Sequence, residues 1–168
     1  FQGGEVSLRS DMIAHVEKIA EEYCSEIELV ACTNLYEIRP DFEEFFQKDN
    51  FYISTSLDGD IDAMARNRTG DKESASRNIS NIRYIIKNYG SEKISFLPTI
   101  TRTSKFEAES LIDLYAELGA SGIFLRPVNF MGFARKRHDE AIDGFLEWQE
   151  FFLNALEHIK NLNNEIYF

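Results

Sequence analysis

Gly3-Gly4-Glu5 places two residues without side chains directly before an acid. A glycine pair of this kind serves a strand-to-helix turn that needs positive φ, or a backbone that another group must approach closely. Polar clusters recur at long intervals behind it: Thr33-Asn34, "STSLDG" at 54–59, "TITRT" at 99–103 and "RPVNFMG" at 126–132. Taken singly, each is a turn signal, with "TN" suited to capping a helix start and Asp58-Gly59 to a tight turn.

Other chemistries find less support. The only cysteines, Cys24 and Cys32, are separated by seven residues, which suits neither a zinc knuckle nor a CxxC redox pair. Both read as small buried hydrophobes. His15 and His158 fall in helical stretches and His138 in a basic one, without the partners that acid–base catalysis requires. No glycine-rich phosphate loop opens a helix.

Length and composition set the frame. The 168 residues suffice for one core, and 43% hydrophobic with 28% charged residues is a globular balance. A formal charge of −11 repels phosphate backbones, so nucleic-acid binding is disfavoured. The basic exception, "ARKRH" at 134–138, reads as a solvated surface stretch. Apolar runs such as "YIIKNY" and "GIFL" are too short to span a bilayer, and the expectation is a soluble, cytoplasmic protein with no membrane partner.

The elements that must position the polar clusters alternate along the chain. Apolar residues at three- and four-residue steps over 8–24 predict an amphipathic helix, and "EIELVACTN" at 26–34 a buried strand. Pro40 starts a short helix, "NFYISTS" at 50–56 reads as a strand, and "LDGDIDAMARNRTG" as a long irregular loop. A helix ending at Gly90 follows, then a strand at 93–101 that Pro98 weakens or ends. A helix over 105–118, a strand with its exit loop over 121–130 and a long helix carrying Phe145, Trp148, Phe152, Leu156 and Ile159 complete the pattern.

Regular αβ alternation implies a parallel sheet covered by helices, and ligands bind such sheets at the carboxyl ends of the strands. The polar clusters fall at those ends. "FQGGE" reads as the close of a strand whose beginning lies upstream, so the chain is expected to be one segment of a larger polypeptide.

In this order, "FQGGE…CTN…STSLDG…NR…LRPVNFMG" resembles the radical S-adenosylmethionine (SAM) superfamily over nearly the whole chain, and within it the SPASM-type peptide maturases. "ISTSLDG" and "FLRPVNFMGFA" resemble the maturase of the His-Xaa-Ser peptide system. The resemblance implies an α/β fold, a partial (β/α)6 barrel in a single domain over 1–168. It also implies reductive cleavage of SAM and hydrogen-atom abstraction from a peptide or small-protein substrate.

By that resemblance Gly3, Gly4 and Glu5 receive the methionyl ammonium, since bare carbonyls approach a cation closely and an acid adds charge-assisted acceptance. Ser56 faces the ribose hydroxyls and Asn34 lines the cavity. Arg77 meets the SAM carboxylate, for which a planar guanidinium is suited, with Arg68 as its rival. Arg126 approaches the adenine or the substrate. The resemblance identifies no catalytic residue.

The sequence departs from the pattern at Val6 and Asp60, where the motifs carry proline, and in "DIDAMARNR", which lacks the usual "HD". The CxxxCxxC loop that would bind a [4Fe–4S] cluster is not in this sequence, and neither is the auxiliary-cluster region. The segment alone is therefore expected to be catalytically silent, with the cluster supplied by the rest of the same polypeptide. Two rivals stand beside this reading: a non-enzymatic binding or scaffold protein on a degenerate barrel, and an unrelated phosphate-binding barrel piece.

Overall fold

Apolar steps along the N-terminal stretch close into helix α1 (Ser10–Tyr23), preceded by a single 3-10 turn over Val6–Arg9. The structure, a computed structural model, describes residues 1–23, 26–101, 108–120, 122–127 and 145–165. Cys24, the basic stretch 134–138 and part of the expected strand over 121–130 lie outside the described residues. The chain divides into two units, Phe1–Ser56 with Ser76–Ser95, and Leu57–Ala75 with Phe96–Phe168.

Three parallel strands, β1 (Leu29–Cys32), β2 (Phe51–Thr55) and β3 (Ile94–Phe96), form an open sheet in that order. β1 and β2 pair in register Leu29↔Phe51 through Cys32↔Ser54. Side chains alternate across a strand, and Leu29, Ala31, Phe51 and Ile53 accordingly share one buried face while Val30 stands exposed on the other. Phe1 extends the β1 edge, with Phe1 N donating to Val30 O at 2.6 Å and Cys32 N to Phe1 O at 3.0 Å.

Proline at the first turn begins α2 (Pro40–Glu43), which tightens into a 3-10 turn over Glu44–Gln47. Their phenylalanines cover the buried sheet face. Phe42 meets Phe46 edge-on at 5.1 Å between centroids, and Phe45 lies 5.3 Å from Phe51. In the second unit the segment expected to be an irregular loop is helical. Asp60 caps α3 (Ile61–Met64) by accepting the Ala63 N–H at 2.9 Å, and a π-helical turn over Ala65–Thr69 ends at Gly70 in the left-handed conformation. The N-cap and the glycine stop bracket an element too short for periodicity to reveal.

Helix α4 (Lys72–Tyr89) adds Ile79, Ile82 and Ile85 at three-residue steps, all buried. On α1 and the turn before it, Leu8, Met12, Val16, Ile19 and Tyr23 form a row left exposed. Beyond β3, Ile100 forms an isolated parallel bridge with Pro127, and the described part of the expected strand over 121–130 is otherwise irregular. Helix α5 (Ala108–Glu117) buries Leu111, Ile112 and Tyr115, and α6 (Phe145–Glu165) buries Phe151 and Ala155. No helix among the described residues is long and apolar enough to cross a membrane.

Candidate functional site

The carboxylate of Glu5 is the centre of the first unit's polar cluster. Its Oε1 accepts Ser7 N at 3.2 Å, Ser7 Oγ at 2.8 Å and Thr33 Oγ1 at 2.5 Å. Among the described residues Oε2 accepts one donor, Asn34 N at 2.9 Å. A carboxylate offers about four lone-pair positions. One oxygen is therefore saturated, and the other keeps the capacity to accept a further donor.

Gly3 and Gly4 precede this acid with φ of 108° and 58°, and a Cβ built on either would meet nothing within 4 Å. Backbone conformation, not crowding, calls for glycine at both positions.

The residues directly after β1 carry the other half of the cluster. Thr33 Oγ1 accepts Leu35 N at 3.1 Å, and Asn34 Oδ1 accepts Tyr36 N at 2.8 Å. "TN" thus closes local turns and does not cap a helix, because no helix begins until Pro40. Leu35 between them has φ of 50° and is completely buried. A non-glycine residue in that region costs about 1–2 kcal/mol.

Helix α4 grips this loop from its own face. Asn78 Nδ2 donates to Asn34 O at 2.5 Å, and Asn81 Nδ2 to Leu35 O at 2.8 Å and Tyr36 O at 3.2 Å. The Arg77 guanidinium lies 5.0 Å from the centre of the Tyr36 ring, within cation–π range. Asn78 is 3% exposed and its Oδ1 has no hydrogen-bond partner among the described residues, an arrangement that costs about 1–3 kcal/mol. These two asparagines are the functional candidates that the sequence analysis passed over. Their signal was present in "RNISN", where asparagines three apart share one face of a helix that they otherwise disfavour.

Of the candidate residues, Glu5 and Asn34 are bonded directly, and Arg77 reaches the same loop through Tyr36. Ser56 follows β2, half-buried. Thr55 beside it has a buried hydroxyl oxygen without a partner among the described residues.

Arg68 and Arg126 belong to the second unit. Arg68 forks onto Asp58, Nε to Oδ2 at 2.7 Å and Nη2 to Oδ1 at 3.0 Å, and also donates to Thr99 Oγ1 at 2.9 Å. Asp58 Oδ1 accepts Thr99 N at 2.8 Å as well. The Arg126 side chain is exposed, and its carbonyl accepts Ile100 N at 3.1 Å. Tyr115 is fully buried in this unit, its hydroxyl donates to Leu57 O at 2.8 Å, and burial drives its pKa well above the ordinary value. His158 sits 2.6 Å from Asp113 and links α6 to α5. A cleft of about 290 Å³ bordered by Glu109, Ser110, Glu150 and Asn154 contains none of the candidate residues.

No protein-family model and no curated protein matches the chain. Solved structures do. Native anSMEcpe with bound AdoMet and Kp18Cys peptide, an anaerobic sulfatase-maturating radical SAM enzyme, aligns with a TM-score of 0.77 at 16% identity. The alignment covers 99% of this chain and 47% of that one. Native anSMEcpe with bound AdoMet gives 0.77 at 15% identity, with 99% and 47% covered. A histidine-tagged form of the same enzyme with bound AdoMet gives 0.78 at 16%, with 99% and 45% covered. The chain spans somewhat less than half the length of these structures and shares their fold over that span.

Proposed function

We propose that this chain forms the SAM-binding part of a radical SAM enzyme that modifies a peptide or small protein, on a partial (β/α)6 barrel of the SPASM-type maturase kind. The observation that carries the reading is the Glu5 carboxylate, with one oxygen saturated by the protein and the other left with acceptor capacity, directly behind two side-chain-free residues. Likeness of fold to structures that contain AdoMet and a peptide supports it.

The donor and acceptor set suits SAM. Glu5 Oε2 and the carbonyls of Gly3 and Gly4 would accept the methionyl ammonium, Arg77 would meet the carboxylate, and Ser56 the ribose hydroxyls. Asn34 holds Glu5 in position and lines the same loop. Arg68 is the rival for the carboxylate, and its fork is engaged by Asp58. Arg126 is assigned to the adenine or to the peptide. When bound and reductively cleaved, SAM supplies hydrogen-atom abstraction. In motif the likeness is to the His-Xaa-Ser system maturase.

A [4Fe–4S] cluster does not fit these residues. The sequence holds two cysteines, and among the described residues no three His, Cys, Asp or Glu side chains gather to hold a metal. Cluster ligands would have to come from elsewhere in the polypeptide.

Calorimetric titration of the full-length protein with SAM tests the reading. Arg77→Ala should weaken binding by about 1.5–3 kcal/mol, the scale of a hydrogen bond to a charged group. Unchanged affinity would remove Arg77 from the site. Absence of SAM binding by the wild type would leave the scaffold reading, which iron content of the full-length protein would in turn exclude.

A further inference from the structure

We infer that Asn78 and Asn81 are positioning residues that aim Oε2 of Glu5 at the amino group of the bound ligand. The inference rests on the reading of Glu5 as an ammonium acceptor and adds the machinery that orients it.

Three locally unfavourable features converge on one short loop. Leu35 is held in a left-handed conformation although it is neither glycine nor asparagine. Asn78 occupies the interior of α4 with a buried oxygen that no described residue satisfies. Asn81, one turn further on, spends its amide on two successive carbonyls. Between them the two asparagines hold the carbonyls of residues 34, 35 and 36 in sequence. Local strain of this kind persists only where the surroundings over-determine it, and it collects at ligand sites.

What the clamp fixes is the direction of one N–H. Asn34 is bonded on both of its backbone polar groups: its carbonyl accepts Asn78, and its N–H donates to Glu5 Oε2. With that N–H fixed, Oε2 is held at one of its lone pairs and the other is turned to a constant direction. Oε1 needs no such help, since Ser7 and Thr33 hold it. The clamp therefore acts on the oxygen that retains acceptor capacity.

A paired titration separates positioning from mere structural support. SAM and an analogue whose α-amino group is replaced by hydrogen are each titrated into the full-length wild type, Asn78→Leu and Asn81→Ala. The wild type should prefer SAM by about 10–100-fold, the range of one charge-assisted hydrogen bond. Asn78→Leu keeps the number and branching of the side-chain heavy atoms and removes the polar oxygen, and urea unfolding checks that the variant stays folded. Its preference for SAM should fall by about fivefold or more, with affinity for the analogue changed by less than about twofold. Asn81→Ala, at a half-buried position, should shift the preference in the same direction. Equal losses for both ligands would mean that the asparagines only support the fold, and an undiminished preference would mean that they do not act on Glu5. Either result overturns the inference while leaving the Glu5 reading intact. A wild type that binds both ligands alike would instead overturn the ammonium reading and the inference with it.

Discussion

Arg68 grips Asp58 with two parallel hydrogen bonds of 2.7 and 3.0 Å, joining "SLDG" to "NR" across ten residues of sequence. The Asp58 side chain is 2% exposed and the Arg68 side chain 31%. Thr99 shares both partners, accepting from Arg68 and donating its N–H to Asp58. Two motifs that look separate in the sequence are one constellation around a buried carboxylate.

Removing one member should therefore damage stability before it touches binding. Arg68→Met leaves a buried carboxylate without its counter-charge, a change that costs about 3–5 kcal/mol. Urea unfolding of the ligand-free protein should show that loss, and Asp58→Asn combined with Arg68→Met should lose less than Arg68→Met alone. An arginine that served only a ligand carboxylate would leave ligand-free stability where it was.

Gly59 should tolerate a side chain poorly. Its φ is 142°, and an added Cβ would lie 2.9 Å from Ala63 Cβ. Gly59→Ala is expected to cost about 1–3 kcal/mol in thermal unfolding from backbone strain alone, with the clash added. Adding Ala63→Gly should recover only the steric part. Gly3→Ala, where the space is open, should show the backbone cost without such a clash.

At Leu35 the usual order of substitutions should invert. Leu35→Ala loses the buried side chain and keeps the left-handed strain, whereas Leu35→Gly loses the side chain and relieves it. Glycine should be the more stable of the two variants by about 1 kcal/mol in denaturant unfolding, the size of the left-handed penalty.

Helix positions were legible because apolar residues at three- and four-residue steps announce a covered face. α1, α4 and α5 agree with that signal to within a few residues over the described part of the chain. β1 and β2 were legible as short apolar runs, although each is shorter than expected. α3 was hidden, since four residues between an Asp cap and a π turn carry no period. At the candidate site the motif residues Glu5 and Asn34 could be named in advance. Their hydrogen bond, the grip of Asn78 and Asn81, and the pairing of Asp58 with Arg68 could not, because partners 29, 44 and 10 residues apart follow from topology and not from local pattern.

Alkaline pH offers a further check on the first unit. Tyr84 and Tyr89 both donate to Glu43 Oε1, at 2.6 and 2.8 Å. Desolvation first, and then the Glu43 carboxylate, push the Tyr89 phenol up to about 12. Tyr84 is raised chiefly by its bond to Glu43. A phenol raised in the fold above its ordinary value of about 10 stabilises the protein below that pH, and the contribution disappears as pH climbs through the folded value. In a phenolate absorbance titration, Glu43→Gln should bring Tyr84 closer to its ordinary pKa than Tyr89, which keeps its desolvation.

The grip of α4 on the loop after β1 also orders events in folding. Ser7 and Glu5 are two residues apart, as are Asn34 and Tyr36, so these bonds can close as soon as the backbone turns. Asn78 and Asn34 are separated by 44 residues, and bringing such distant points together costs about 3 kcal/mol of chain entropy. The loop can reach its native shape only after the sheet has formed and α4 has docked on it. Slow hydrogen exchange at the Asn34 amide is thus a mark of completed assembly, and a kinetic intermediate that lacked α4 packing would carry Glu5 in the chain without the clamped loop that holds its carboxylate.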